Sequence, residues 1–484
     1  MAIRATRTSK EALRRLPTPA RPIVDAGDVR VPEGYEVEAV LVGLSMPTGM
    51  KAADDGTLFV LEGGATWPTR PGLPPRILRM DPSGNLEVFA EESFGGPRGI
   101  DVRGNEIFVS LKGGHYTRIV KYDLTTRERT VLVDQLPEGG WHEPGGPVFG
   151  PDGLMYFGQG SVSLNGVVEP HGLTVDVAKH PNAHDVPGQD VKLTGNNVWS
   201  DNPTASYPYP AETGAFKPYG VPAQKGEVVK GELWCNSCVM RSQPDGTEPE
   251  LLAWGVRNPW GMTFSDDGDL YVADLCMEEK GSRPVGEDPG RVWRIDKARE
   301  PHGSVETPDW YGFPDYCGDG LPVWHEKHLA KKGPITGAPP LPLIEDPPPL
   351  AGPAVYLNEP HTGNGKIRFD RTEGFGYRGK MFLAQFGSYY PLNTMREEHA
   401  NKGFNVVALD LENPGEPEIF MSNRVPGPAS AHPGNGGLER PVDVEFGPDG
   451  ESLYVLDFGL HAITERYIWA YGHTGVLWRV TRKR

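Results

Sequence analysis

Polar side chains able to move protons and hold charge stand at matching places in a set of short repeated phrases. His142 lies two residues before the first proline of one phrase, and Arg257 and Asn258 directly precede the proline of the next. Arg440 holds the same place in the last phrase, and His361 lies beside another. An imidazole accepts and releases a proton near neutral pH, and a guanidinium stabilises developing negative charge. The pattern predicts a polar constellation on one face, although a turn cap or an ion pair between sheets would place the same residues there.

The phrases themselves are six copies of a strand, a turn and a second strand. They read PTGMKAADDGTLFVLE (47–62), PRGIDVRGNEIFVSL (97–111), PGGPVFGPDGLMYFGQG (144–160), PWGMTFSDDGDLYVAD (259–274), GKIRFDRTEGFGYRGKMFLAQF (365–386) and PVDVEFGPDGESLYVLD (441–457). In four of the six copies the turn is an Asp-Gly pair, a strong hairpin signal between apolar runs. The spacing therefore predicts repeated β-hairpins.

A third strand follows each hairpin, and no unit can bury both of its faces alone. These third strands are predicted over 76–81, 118–123, 239–243, 291–296, 405–411 and 476–480. Six such units predict an all-β chain, a six-bladed β-propeller with two long loop insertions. The extended stretch 35–43 is expected to join the last blade as its outer strand and so close the ring.

The domain boundaries follow from the same spacing. We predict a basic amino-terminal tail over 1–30, with a short helix as one interpretation, and a single propeller over 31–484. Two insertions, at about 161–232 and 297–360, interrupt the repeat and are rich in Pro, Gly, Asn and His. Long loops in a compact domain are usually functional or disordered, so we expect them to cover one mouth of the central channel.

Composition and charge exclude several classes. Gly 62 and Pro 49 among 484 residues argue against a helical bundle, and a formal net charge of −17 argues against a nucleic-acid partner. The chain has no apolar run of the roughly 18 residues that a spanning helix needs. The basic start lacks an apolar signal core, so we expect a cytoplasmic protein, or a periplasmic or secreted one if a signal is missing from this sequence.

Several phrases resemble the glucose/sorbosone dehydrogenase family. They are WHEPGGPVFGPDGLMYFGQGS (141–161), AWGVRNPWGMTFSDDGDLYVAD (253–274), DWYGFPDYCG (309–318) and the carboxy-terminal run HTGNGKIRF…YRGKMFLAQFGS…ERPVDVEFGPDGESLYVLDFG. The resemblance covers about 35–481 apart from parts of the insertions. It implies a six-bladed propeller that oxidises a sugar or polyol with pyrroloquinoline quinone (PQQ) and Ca²⁺; it does not identify the electron acceptor or the oligomeric state.

The resemblance also implies roles for individual residues. His142 would be the general base for the substrate hydroxyl, and Arg257 would stabilise the reduced quinone. Asn258, Arg440 and, more distantly, His361 would contact the cofactor. The family's Gln in the second repeat is replaced by Arg98 and its neighbours, the Lys after the fifth repeat is absent from 385–389, and Val442 replaces an Arg. Arg98 could supply part of the missing positive charge if it points inward.

Four cysteines fall within one stretch of the chain. They are Cys235, Cys238, Cys276 and Cys317. Three arrangements are consistent with the spacing: a four-thiolate Zn²⁺ site, two disulfides, or free thiols. No base can be assigned to any of them, so the sequence does not predict a catalytic thiol.

Two other functional classes remain open on sequence alone. A metal-dependent lactonase on six blades would need carboxylate and amide ligands, for which Glu62, Asn258 and Asp457 are candidates. A non-catalytic propeller would instead bind a partner through its loops.

Overall fold

The repeated phrases form six mainly antiparallel sheets in a computed structural model. It describes residues 23–64, 69–70, 73–113, 116–137, 140, 142–169, 180–200, 210–330, 339–394, 396–413, 415–465 and 468–483. We name the sheets blades 1 to 6 in chain order and give their strands from the innermost outwards. Blade 1 contains Pro47–Ala52, Leu58–Glu62, Arg76–Met80 and Leu86–Glu91; blade 2, Gly96–Arg103, Glu106–Lys112, Tyr116–Asp123 and Arg129–Pro137; blade 3, Gly145–Phe149, Met155–Gln159, Cys238–Ser242, Glu250–Trp254 and the parallel Asp309–Trp310. Blade 4 contains Pro259–Phe264, Leu270–Asp274, Arg291–Ile295 and Tyr356–Leu357; blade 5, Asn364–Phe369, Met381–Gln385, Asn405–Leu409, Glu418–Asn423 and Val29–Arg30; blade 6, Pro441–Phe446, Ser452–Asp457, Gly475–Arg482 and Tyr35–Leu44.

The blades close into a ring around a central channel. The innermost strand of each blade packs against that of the next, and Pro441–Phe446 of blade 6 packs against Pro47–Ala52 of blade 1. The outermost strand of blade 6, Tyr35–Leu44, comes from the start of the chain and pairs with Gly475–Arg482 from its end. The predicted all-β propeller with an amino-terminal closing strand is therefore confirmed.

The Asp-Gly turns do what the sequence predicts. Gly56, Gly153, Gly268 and Gly450 have φ values of 88°, 80°, 82° and 69°, a region that favours residues without a Cβ atom. Each second strand lies between the first and third strands of its own blade, and the second strands of blades 1, 3 and 5 pack against the next blade and are buried at every position. Face-to-face packing of the blades thus supplies the core, and it holds the starts of the innermost strands in fixed positions.

The two insertions fold against each other rather than apart. Val191–Leu193 of the first pairs with Val228–Val229 and with Ile344–Glu345 of the second. The first insertion also forms the hairpin Asn197–Ser200 with Ala211–Gly214, and a separate small sheet joins His461–Ile463, Ile468–Tyr471 and Thr69–Arg70.

Helical structure in the described residues is limited to short 3₁₀ turns. They are Ala26–Asp28, Asp296–Arg299, Glu326–His328, Glu397–His399 and Ala429–Ala431. No helix found there is long and apolar enough to cross a membrane. Of the predicted tail, 1–22 lies outside the described residues, whereas Val29–Arg30 is the outer strand of blade 5.

Candidate functional site

A cavity of about 700 Å³, counting the solvent at its open mouth, lies where the starts of the innermost strands of blades 3, 4 and 5 meet. Its lining comes from these strand starts and from the loops that follow the second strands of blades 4 and 5. The lining residues are His142, Glu143, Arg257, Asn258, Trp260, Leu275, Cys276, Glu278, His361, Gly363, Phe386, Gly387, Tyr389 and Asn393. The structure therefore brings His142, Arg257, Asn258 and His361 together, as the repeat positions predict.

His142 is buried and held by one neighbouring residue. Its Nδ1 lies 2.9 Å from the carbonyl oxygen and 2.7 Å from Oγ of Ser161. The Ser161 hydroxyl donates its proton to the carbonyl oxygen of Ser163, so both Ser161 oxygens near the ring act as acceptors. Nδ1 of His142 therefore carries the ring proton, and Nε2 carries the lone pair that can accept a proton. Burial and the positive charge of Arg257 lower the pKa of His142 well below its ordinary value of 6.5. The ring is thus a neutral base on the cavity wall.

Arg257 is a buried guanidinium that forms no ion pair with any described residue. Its Nε donates to the carbonyl oxygen of Leu164 at 2.8 Å, and its Nη1 donates to that of Cys276. Its Nη2 is buried with no hydrogen-bond partner, and no carboxylate of the described residues lies within ion-pair distance of Arg257. Burial lowers the pKa of Arg257 from its usual value. A buried, uncompensated guanidinium is costly, which points to a ligand with an electron-rich or negatively charged group.

Asn258 is fixed by backbone hydrogen bonds on both sides. Its backbone N–H donates to Asp274 Oδ1 at 2.7 Å, and its Oδ1 accepts from the N–H of Glu143 at 3.0 Å. With Oδ1 engaged, the side-chain amide nitrogen is the group left to act as a donor on the cavity wall.

The remaining wall is aromatic. The rings of Trp260 and Phe386 lie 6.0 Å apart, and those of Phe386 and Tyr389 lie 5.6 Å apart. Trp260 Nε1 is buried and has no hydrogen-bond partner in the part of the chain that the structure describes, so this wall also carries an open donor. Such a surface suits a flat conjugated molecule with acceptor atoms at its edge.

Arg440 lies behind this aromatic wall instead of lining the cavity. Its guanidinium donates to the carbonyl oxygens of Phe386, Gly387 and Ser388 and lies 4.9 Å from the Tyr389 ring centroid. No described carboxylate is within ion-pair distance of it, so its charge remains available to attract an anion across the wall. Arg440 therefore does not share the cavity lining with Arg257 and Asn258, and its contact with a cofactor stays a prediction.

Arg98 also lies outside the lining, in the channel beneath the cavity. Its Nε is 2.5 Å from Oε2 of Glu143, and its carbonyl oxygen accepts from Lys366 Nζ at 2.6 Å. Lys366 is in turn 3.6 Å from Asp443. Arg98 thus points inward, but its charge is compensated by Glu143 and does not replace the missing cations of the cavity.

The carboxylates that end the second strands have structural partners. Glu62 accepts from the N–H of Ser45 and pairs with Arg76, and Asp457 accepts from the N–H groups of Glu439 and Arg440. Of the three ligands considered for a lactonase, only Asn258 lines the cavity. Across the described ranges, no group of three or more His, Cys, Asp or Glu is arranged to hold a metal.

The four cysteines do not gather into one site. All four are buried free thiols, and among the described residues they belong to no group of three or more side chains arranged to hold a metal. The choice between the zinc, disulfide and free-thiol arrangements stays a prediction. Cys235 and Cys238 lie in the core of blade 3, Cys317 packs with Met277, and Cys276 faces the cavity. The Cys235–Cys238 pair and Cys317 thus belong to different packing clusters, a separation that spacing along the chain cannot reveal.

Several lining residues escaped the sequence reasoning. Glu278, Phe386, Tyr389 and Asn393 belong to loops after second strands, where the repeat has no fixed register. Glu143 directly follows His142, and Trp260 lies two residues after Asn258. Closeness to these predicted site residues was the one signal in the sequence that could have indicated them. Neither insertion supplies a described lining residue; the first contributes from behind, through Ser161 and Leu164.

The chain is similar to known proteins in structure rather than in sequence. No protein-family model matches this chain, and no curated protein matches it significantly in sequence. The holo form of the pyranose dehydrogenase PQQ domain from Coprinopsis cinerea is similar, with a TM-score of 0.55, 17% identity, and coverage of 96% of this chain and 99% of that chain. The calcium structure of a carbohydrate-active enzyme from Trichoderma reesei is also similar, with a TM-score of 0.51, 14% identity, and coverage of 96% and 99%. At these identities the likeness establishes a shared fold over nearly the whole length of both chains.

Proposed function

We propose that this chain is an oxidoreductase that oxidises a hydroxyl-bearing carbon of a sugar or polyol with PQQ bound in the cavity. The observation that carries the proposal is the pairing, on one wall, of a neutral His142 with a buried Arg257 that has an open Nη2 and no counter-ion. The fold likeness supports it, because the similar structures include a PQQ domain of a pyranose dehydrogenase and a carbohydrate-active enzyme.

The residues present fit an acidic, planar quinone. Arg257 and Arg440 are buried cations without described carboxylate partners, whereas Glu143 is neutralised by Arg98. The open donors on Arg257 and Trp260 suit carbonyl and carboxylate oxygens, and Phe386 and Tyr389 suit the flat ring. Of the two carboxylates in the lining, only Glu278 lacks an ion pair with a described residue, and it would repel an anionic cofactor. Cofactor binding should therefore depend strongly on the positive charge of Arg257.

In this proposal the bound quinone supplies an electrophilic two-electron acceptor for hydride. His142 Nε2 would accept the proton of the substrate hydroxyl while the carbon that bears this hydroxyl loses a hydride. The substrate would thereby lose two electrons and two hydrogens. Ser161 keeps the proton on Nδ1, so Nε2 enters each cycle unprotonated. Arg257 and Asn258 would hold the acceptor by hydrogen bonds, and the Arg257 charge would favour its reduced form.

Cofactor uptake tests the proposal directly. Purified protein is titrated with PQQ in the presence of CaCl₂ and followed by quinone absorbance, then assayed for dye-linked oxidation of aldoses and polyols. We expect uptake and sugar-dependent dye reduction, with Arg257→Met weakening uptake at least about tenfold. Arg378→Met, at an exposed site, serves as the matched control. Absence of uptake by the unaltered chain, or equal uptake by Arg257→Met, would contradict the proposal.

A further inference from the structure

A second set of unsatisfied polar atoms lies on the cavity wall contributed by the loops before and after the first hairpin of blade 5. His361 Nε2 and Asn393 Oδ1 are both buried with no hydrogen-bond partner among the described residues, and the two residues are only 3% and 7% exposed. Both residues line the cavity. Buried polar atoms without partners cost stability, so two on one wall indicate a ligand that satisfies them.

The two side chains are already coupled to each other, which fixes what they can offer. Asn393 Nδ2 lies 3.3 Å from His361 Nδ1 and donates to it, so the ring proton of the neutral imidazole is on Nε2. The couple then presents one donor, His361 Nε2–H, and one acceptor, Asn393 Oδ1. If the amide were turned over, the two roles would exchange and the couple would still present one donor and one acceptor.

The imidazole keeps this role over the working pH range. Burial and the neighbouring His399 lower the pKa of His361 to about 3, so the ring is neutral near pH 7. A neutral donor beside a neutral acceptor matches a hydroxyl group, which both accepts and donates. It matches a carboxylate, an ether or a carbonyl oxygen less well, because each of these would leave the Asn393 oxygen unpaired.

The couple is held rigidly from behind. The rings of His361 and His399 are 4.7 Å apart, and His399 Nε2 lies 3.1 Å from Glu287 Oε1. Next to Asn393, the Thr394 hydroxyl donates to Glu279 Oε2 at 2.7 Å. Ion pairs from Arg396 to both glutamates lock the same segment in place. Binding groups fixed by packing and ion pairs lose little entropy when a ligand arrives.

We propose that His361 and Asn393 form a hydroxyl-binding couple that recognises a substrate hydroxyl other than the one being oxidised. The couple selects polyhydroxylated ligands over monohydric alcohols. Glu278, whose Oε2 is also buried without a partner, accepts from a further hydroxyl. That the bound ligand is the substrate rests on the proposed function. Binding of a sugar by the couple can be measured without turnover.

Titration calorimetry with sugars tests the couple. Glucose, galactose, mannose, xylose, sorbitol and 1-hexanol are titrated into the purified protein, and the tightest binder is then compared with its monodeoxy analogues. We expect 1-hexanol to bind weakest and one deoxy analogue to bind roughly tenfold to a hundredfold more weakly than its parent. Asn393→Leu should weaken the parent sugar by a similar factor and leave that one analogue unaffected.

Measuring the variant against the deoxy analogues distinguishes the loss of one hydrogen bond to a substrate hydroxyl from a general distortion of the cavity. A structural defect would weaken the parent and every analogue equally in Asn393→Leu, and that result would overturn the proposal, as would the absence of binding by every sugar. Asn413→Leu, in an exposed turn away from the cavity, is the control and should bind like the unaltered chain. Sugar binding with the predicted pattern but no PQQ-dependent oxidation would support the couple and contradict only the proposed oxidoreductase activity.

Discussion

At the scale of single residues, the site works through what its neighbours leave unsatisfied. His142 has one nitrogen committed to Ser161, and Arg257 has two nitrogens committed to carbonyl oxygens. His142 Nε2 and Arg257 Nη2 are therefore left to bind a ligand, and both residues line the cavity. The repulsion that Arg257 exerts on the protonated form of His142 is the electrostatic feature that can be tested most simply.

The acid limb of the pH profile should depend on Arg257. The proposed base must be unprotonated, so kcat is lost as pH falls through the pKa of His142, which burial and Arg257 hold below 6.5. Replacing Arg257 by Met removes one of these causes, raises the pKa of His142, and should move the acid limb to higher pH. The kcat–pH profile of cofactor-loaded protein measures this shift. An acid limb that stays in place, or moves further into acid, would show that His142 is not the titrating base.

At the scale of elements, the carboxylates that end second strands hold the strand starts that carry the site. Asp274 Oδ1 accepts from the N–H of Asn258, and its Oδ2 lies 2.9 Å from Arg291 Nε and 3.1 Å from Trp293 Nε1. One buried side chain therefore joins three strands of blade 4 at the cavity end.

Asp274→Ala should destabilise the protein by about 3–5 kcal/mol, because it leaves donors unpaired in the interior. Denaturant unfolding at neutral pH measures the loss. Asp267→Ala, in the exposed turn of the same hairpin, should change stability by less than about 0.5 kcal/mol. Equal effects of the two substitutions would mean that Asp274 does not organise the blade.

The first insertion carries a carboxyl group whose burial is uncompensated. Glu169 accepts from the N–H of Ser282, yet burial raises the pKa of its carboxyl from 4.5 to about 7. The folded state therefore holds an extra proton between these values, and its stability falls as pH rises through that window. Glu169→Gln removes the penalty, so its stability gain should be near zero below pH 4.5 and reach at most about 3 kcal/mol above pH 7.

Thermal unfolding of Glu169→Gln at pH 4.5 and pH 8 checks the sign. Glu232→Gln, an exposed position in the same insertion, is the control and should track the unaltered protein at both pH values. A gain that is larger at pH 4.5 than at pH 8 would contradict the assignment.

At the scale of the whole molecule, the ring depends on a strand from the far end of the chain. Tyr35–Leu44 pairs with Gly475–Arg482, and Tyr35, Val37 and Ala39 pack against the core that contains Trp478. A chain that begins at residue 46 would expose that strand edge and core, so we expect it to lose cooperative thermal unfolding. Adding a peptide of residues 31–45 should restore cooperativity, and a scrambled peptide should not. A truncated chain that melts like the full one would contradict closure by this strand.

The sequence predicted what depends on local chemistry and on the repeat. The Asp-Gly turns, the closing strand and the convergence of His142 with Arg257 all follow from phrases in register. What it missed depends on packing between distant segments. Arg440 occupies the same repeat position as Asn258, and the backbone N–H of each donates to the carboxylate that ends the second strand. The Arg440 side chain nevertheless stacks on rings from blade 5 and lies behind the cavity wall. The separation of the cysteines and the position of Asn393 likewise depend on loops with no repeat to align them.

The central claim, that His142 is the base for hydride loss from a sugar in this cavity, is tested most directly by one rate. Protein loaded with PQQ and Ca²⁺ is mixed with excess sugar, and the spectral change of quinone reduction is followed in a single turnover. We expect His142→Gln to take up the cofactor and to reduce it about 10²–10⁴ times more slowly than the unaltered chain. Equal rates for the two proteins at full cofactor occupancy would contradict the account.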